Sequence, residues 1–221
     1  MRILGISGSP RGQRSGTRRL VERVLEGTQA AGAEVELVDL SELNLAYCVA
    51  CDSCHAIGTC SRTDEFGPLR DKMLAADGLV LGSPLYFNSV TAQLKTVIDR
   101  LADVIHCQLF LGKYACSVCV SGGAEHDLGV TYMNDVMLRF GCTVVGGVGA
   151  SRSIPGSFEA GERDAIALGR DLVKAIEEKR THPEQDAVHA EMFERFKRLI
   201  TLNKDHWPHE YNYWLARNWL D

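Results

Sequence analysis

No apolar run in these 221 residues approaches the roughly 20 needed to cross a bilayer as a helix. Nor is there an excess of positive charge. Twenty-four Lys and Arg face 29 Asp and Glu, for a formal charge of −5, which argues against non-specific nucleic-acid binding. Met1 leads straight into "RILGIS", an apparent strand, so no secretory leader is expected and a reducing, cytoplasmic setting is. Disulfides are then not expected. The chain also lacks the G-x-G-x-x-G dinucleotide spacing and the G-K-[ST] of a triphosphate loop. No nucleophile–His–carboxylate set, internal repeat or low-complexity block stands out. What is present is a globular composition, 45% hydrophobic and 24% charged, and a local crowd of cysteines.

Short apolar runs alternate with helical patterns. Strands are predicted at 2–7, 34–40, 78–83, 114–122 and 142–150, the third apolar enough to be buried on both faces. Helices are predicted at 16–31, 64–76, 90–106, 127–140 and 162–179, with 151–161 a loop interrupted by Pro155 and two glycines. This βαβαβαβαβα order predicts an α/β fold: a doubly wound, five-stranded parallel sheet covered by helices. A body over 1–180 would then carry a helical extension over 181–221. Val188, Met192, Phe193, Phe196, Leu199 and Ile200 form one apolar stripe of the extension, and Tyr211, Trp214, Leu215 and Trp219 another. They would cover their own domain or meet another subunit.

Strand one runs into "SGSPRGQRSGT" and then a helix, whose first turn offers unpaired N–H groups and partial positive charge to a phosphate. Ser7, Ser9, Ser15 and Thr17 add hydroxyls, Gly8, Gly12 and Gly16 permit close approach, and Arg11, Arg14 and Arg18 offset the anion's charge. In the flavodoxin-like strand order 2-1-3-4-5, ligands sit at the carboxyl ends of strands one and three. "GSPLYFNS" follows strand three and brings Tyr86, Phe87 and Asn88. "SGGAEHD" follows strand four, with His126 and Asp127 expected to cap the next helix. Three such loops on one edge suit a planar ring with one phosphate, such as FMN.

Four of the eight cysteines fall within "CVACDSCHAIGTC", spaced Cys-x2-Cys-x2-Cys-x5-Cys. In a reducing compartment this is a metal or redox pattern. A cubane iron–sulfur cluster needs four converging thiolates. The first three wrap one face from a turning loop, and the fourth, past Gly58, closes the other. Structural zinc usually draws ligand pairs from separated segments, so it fits less well but stays open, as does an unmetallated thiol loop. His55 would be a substitute ligand, or a loop residue facing solvent. Cys116 and Cys119, three apart on a strand, fall on opposite faces, and with Cys107 and Cys142 they read as small core residues. Lys95, Asp99 and Arg100 read as an ordinary polar helix face.

"GISGSPRGQRSGT", "GSPLYFNSVTAQLKTVIDR" and "SGG" resemble the NAD(P)H-dependent FMN reductase branch of flavodoxin-like proteins. With the cysteine run after strand two, the resemblance narrows to the iron–sulfur flavoproteins, whose motif is Cys-x2-Cys-x2-Cys-x4–7-Cys. It covers residues 1–175 and stops before the tail. It implies FMN held at its phosphate by Ser9, Arg11, Ser15, Gly16 and Thr17, with Pro84, Leu85, Tyr86, Phe87 and Asn88 beside the ring or ribityl chain. Ser121, Gly122 and Gly123 would line the ring's other edge. It further implies a [4Fe–4S] cluster on Cys48, Cys51, Cys54 and Cys60. A homo-oligomer, dimer or tetramer, is implied, with one subunit's cluster near another's flavin. The implied activity passes electrons from a donor such as ferredoxin to a small acceptor such as dioxygen, peroxide or a quinone. Two alternatives stand beside it: an NAD(P)H-dependent FMN or quinone reductase without a cluster, and a non-enzymatic electron carrier.

Overall fold

The runs "RILGIS" and "GLVLGSP" are buried along almost their whole length, as strands covered on both faces must be. They form β1 (Arg2–Ser7) and β3 (Gly78–Pro84), paired in parallel at the centre of the sheet. With β2 (Glu34–Asp39), β4 (Tyr114–Ser121) and β5 (Thr143–Ser151) they make a five-stranded, all-parallel sheet in the order β2-β1-β3-β4-β5. The structure is a computed structural model that describes residues 1–220. No helix among them is long and apolar enough to cross a membrane.

Alternation along each strand sends neighbouring side chains to opposite faces. Ile3, Val80, Cys116 and Val118 pack under α1 (Gly16–Ala30) and α7 (Ser157–Glu177). Leu4, Ile6, Leu79, Leu81 and Cys119 pack under α3 (Phe66–Ala75), α4 (Ala92–Asp99) and α6 (His126–Arg139). Cys116 and Cys119 thus face opposite cores, as their spacing predicts. Two glycines bring α1 and α7 into backbone contact. A Cβ on Gly27 would lie 2.1 Å from the Ile166 carbonyl oxygen, and one on Gly169 2.1 Å from that of Val24.

Two element predictions need correction. The helix expected over 90–106 is two, α4 and α5 (Ala102–His106), because the chain tightens at Arg100 and Leu101, whose amides bond three residues back rather than four. Helix α7 begins at Ser157, inside the expected loop, after Gly156 takes a left-handed φ of +76°.

The tail forms α8 (Pro183–Leu202) and α9 (Pro208–Leu215). Met192, Phe196, Ile200 and Trp214 are buried in a third apolar cluster that also takes in Ile105, so the aromatics cover their own chain. Leu215 is the exception and is exposed. Gln185 bonds both the N–H and the carbonyl of Val144, at 2.8 Å each, and so blunts the outer edge of β5.

Candidate functional site

The carboxyl ends of β1, β3, β4 and β5 meet around one cavity of about 380 Å³. Its walls include Ser9, Arg11, Ser15, Gly16, Thr17, Pro84, Leu85, Tyr86, Ser121 and Gly122. The three loops singled out in the sequence therefore converge. Ser15 caps α1, its Oγ accepting from the Arg18 amide at 3.2 Å. The Gly16 and Thr17 amides, one turn short of any helical acceptor, are left to an incoming anion. The Leu85 amide bonds the Val120 carbonyl at 2.9 Å, tying the second loop to the end of β4.

Residues Tyr86–Ser89 close a tight turn, with backbone bonds of 2.9 and 3.1 Å between its ends. Phe87 and Asn88 both take left-handed backbone, φ +48° and +60°, the signature of a type I′ turn. An aromatic in that conformation is strained, and Phe87 is nonetheless fully exposed at the rim. Gly123 stands behind Gly122, its carbonyl accepting from Ser121 Oγ.

Sequence reasoning missed one pocket residue and misplaced another. Arg152, just past β5, lines the cavity, stacks 4.2 Å over the Phe158 ring, and lies where a Cβ on Gly16 would touch its guanidinium. Only its position at the end of a strand signalled it. Arg18 points away, engaged by Asp39 and Glu22 at 2.9 Å each. His126 and Asp127 bond each other at 2.9 Å rather than capping α6, whose N-cap is Glu125.

Cys48, Cys51, Cys54 and Cys60 line a second cavity of about 200 Å³. Ala50 and Asp52 take left-handed backbone between them, φ +49° and +57°, and Gly58 follows at +76°. Such alternation curls a loop tightly and favours anion-binding concavities. Helix α2 (Ser53–Ile57) carries Cys54. Three of the four sulfurs have a hydrogen-bonding partner. The Ala50 amide reaches Cys48 Sγ at 3.5 Å, the Ser61 hydroxyl lies 3.0 Å from Cys51 Sγ, and Arg100 Nη2 reaches Cys60 Sγ at 3.3 Å, while Cys54 precedes the buried His55 on α2. The Ser61 hydroxyl and the Ser53 amide pull the Cys51 thiol below its ordinary pKa. By contrast, burial pushes Cys116 and Cys119 up to about 12, and Cys107 and Cys142 upward as well, so they stay inert thiols.

Two residues read as bland are not. Arg100 is 3% exposed. It is held by Asp64 at 2.6 and 2.9 Å and by the Ala46 carbonyl at 2.9 Å, and stacks 4.2 Å over Phe66. His55 is buried rather than solvent-facing, because the tail packs over it. The two cavities share no wall residue. The cysteine segment leaves the carboxyl edge of the sheet after β2. Residues 43–47 then run along α4, and the cavity forms against Asp99 and Arg100, at that helix's far end. Eight residues of helix span about 12 Å, so the two cavities lie at opposite ends of α4 rather than side by side.

A parallel sheet in this order, with a Ser- and Gly-rich loop and an aromatic loop meeting at its switch point, is the flavodoxin-like architecture. Residues 1–154 match the family described as NADPH-dependent FMN reductase. The chain belongs to that family, among its iron–sulfur flavoproteins, and is a flavin-dependent oxidoreductase. It is 33% identical to an iron–sulfur flavoprotein of Archaeoglobus fulgidus across the whole of both chains. An iron–sulfur flavoprotein of Methanocaldococcus jannaschii is 32% identical, over 80% of this chain and 97% of that one. Among solved structures, the NAD(P)H:quinone oxidoreductase from Methanothermobacter marburgensis shares the fold. Its TM-score is 0.60 at 22% identity, covering 78% of this chain and 98% of that one.

Proposed function

We propose that this chain passes electrons between a [4Fe–4S] cluster on Cys48, Cys51, Cys54 and Cys60 and FMN in the carboxyl-edge cavity. One observation carries the reading: all four cysteines line one cavity, and the sulfurs of Cys48, Cys51 and Cys60 each have their own hydrogen-bonding partner. Donors to sulfur favour the thiolate that iron requires and set a cluster's potential. The names of the relatives from A. fulgidus and M. jannaschii support it.

The crowding of all four cysteines into one run, Cys-x2-Cys-x2-Cys-x5-Cys, disfavours structural zinc, which usually draws ligand pairs from separated segments. A cubane binds each thiolate to a different iron.

In the other cavity, the Gly16 and Thr17 amides, the Ser9 and Thr17 hydroxyls, and Arg11 and Arg152 would hold the FMN phosphate. Pro84, Leu85 and Tyr86 would flank the ring, with Phe87 and Asn88 at its mouth and Ser121, Gly122 and Gly123 along its other edge. Bound, the cluster supplies one-electron transfer and the flavin one- or two-electron chemistry. The chain's own part is to hold both groups, screen them from water and set the charge around them. Tyr47, Val49 and Ile57 are exposed around the cysteine loop, which suits docking of a second subunit or of a protein donor such as ferredoxin. The acceptor would be a small molecule that reaches the ring past Phe87, and the setting the reducing cytoplasm.

Replacement of one ligand tests the assignment. Cys51→Ala, purified anaerobically, is expected to lose most of its iron and keep its FMN. Full iron content in that variant would refute the ligand set. The family's description favours NADPH as an alternative direct donor. NADPH oxidation undiminished in Cys51→Ala would select that reading.

A further inference from the structure

Helix α2 is five residues long, begins and ends on left-handed residues, and has no side-chain cap. A helix that short does not hold itself together in water, yet it carries one of the four cysteines. Its support comes from the far end of the chain. Glu210 on α9 is fully buried. One carboxylate oxygen bonds His55 Nδ1 at 2.6 Å and the other bonds His106 Nδ1 at 3.0 Å. His55 belongs to α2. His106 ends α5, whose first residue, Ala102, lines the cysteine cavity as His55 does. One carboxylate therefore ties together two of the helices that line the cavity.

The packing around that bridge is equally specific. The His55 ring is stacked against His106 at 4.8 Å and Trp207 at 4.6 Å. His209 lies so close to Gly58 that a Cβ there would meet its ring at 2.4 Å. Trp214 Nε1 donates to the His106 carbonyl at 3.0 Å and fixes α9 to α5.

We infer that α9 is a clamp on the cysteine loop, with Glu210 the positioning residue that holds Cys54 in place through His55. The inference rests on the cluster reading of that loop. The same three side chains have donor atoms close enough for a metal ion. Each of the two Nδ1 atoms, however, already has its own oxygen of the Glu210 carboxylate, so these contacts are satisfied without one. The clamp gives the tail a function: it pre-organises the ligands so that ordering them costs little when iron binds.

The test uses the anaerobically purified holoprotein, a ferrous chelator and amide hydrogen exchange. Stranding two buried imidazoles in Glu210→Ala is expected to speed iron release by about tenfold or more. It should also quicken exchange of amides 53–58 and broaden the electron paramagnetic resonance signal of the reduced cluster, with FMN content unchanged. Glu210→Gln keeps an acceptor and a donor in the same place, and should release iron within about threefold of wild type. Should the Ala variant not fold, Trp207→Ala, which removes one side of the His55 stack, carries the same expectation. Wild-type iron release and wild-type exchange in a folded Ala variant would overturn the clamp. So would a Gln variant as leaky as Ala, since that would assign the carboxylate a role through charge or ligation. If the wild type proves to hold no iron, the cluster reading falls, and exchange of amides 53–58 alone decides the clamp.

Discussion

Arg100, itself only 3% exposed, places a permanent positive charge against the Cys60 sulfur. Asp64 and the Ala46 carbonyl hold it there. Arg100→Met removes that N–H···S bond, and the midpoint potential of the proposed cluster should fall. An anaerobic redox titration checks this, and an unchanged potential would show that the bond is incidental. At the other cavity, Arg152→Ala removes a cation from the end proposed to hold the FMN phosphate. FMN affinity should drop by about tenfold or more in a fluorescence titration. At this scale the sequence displayed the four cysteines and the Ser- and Gly-bearing loops, because their chemistry is local and closely spaced. It hid Arg100 and His55. Arg100 is buried by a partner 36 residues away and His55 by one 155 residues away, and no periodicity encodes either pairing.

Helices and strands were legible where burial alone decides them. The strand β1 ends where its apolar run ends, and β3 reads as a core strand because both its faces are covered. The break between α4 and α5 was not legible. No Pro or Gly marks it, and the chain turns there as the Arg100 side chain reaches Asp64. The packing of α1 on α7 was equally silent, although Gly27 and Gly169 are its cause. Gly169→Ala drives a methyl group toward the Val24 carbonyl and should cost about 1–3 kcal/mol in urea unfolding. An unperturbed midpoint would mean that the two helices slide apart freely.

For the whole molecule, the parallel five-stranded sheet was readable from the alternation of elements and its order 2-1-3-4-5 from the flavodoxin-like character of the loops, whereas the separation of the two cavities along α4 was not, since it depends on where residues 43–47 run. The acid limb of stability is another whole-chain property. The Arg100 bond, opposed by burial, holds Asp64 at about 2, against ~3.9 for an unfolded carboxyl. Its contribution is therefore full above the unfolded value and is lost as pH falls through the folded one. The stability gap between wild type and Asp64→Asn should be steady near neutrality and close as pH falls from about 4 to about 2. A gap independent of pH would break the link between this pair and acid stability. The central claim concerns what the cysteine loop holds, and metal and sulfide analysis of the anaerobically purified protein, with its visible spectrum, tests it most directly. About four iron and four sulfide per chain, with broad brown absorption beneath the flavin bands, is the predicted result. A yellow protein showing flavin bands alone, or one carrying zinc in place of iron, would contradict it.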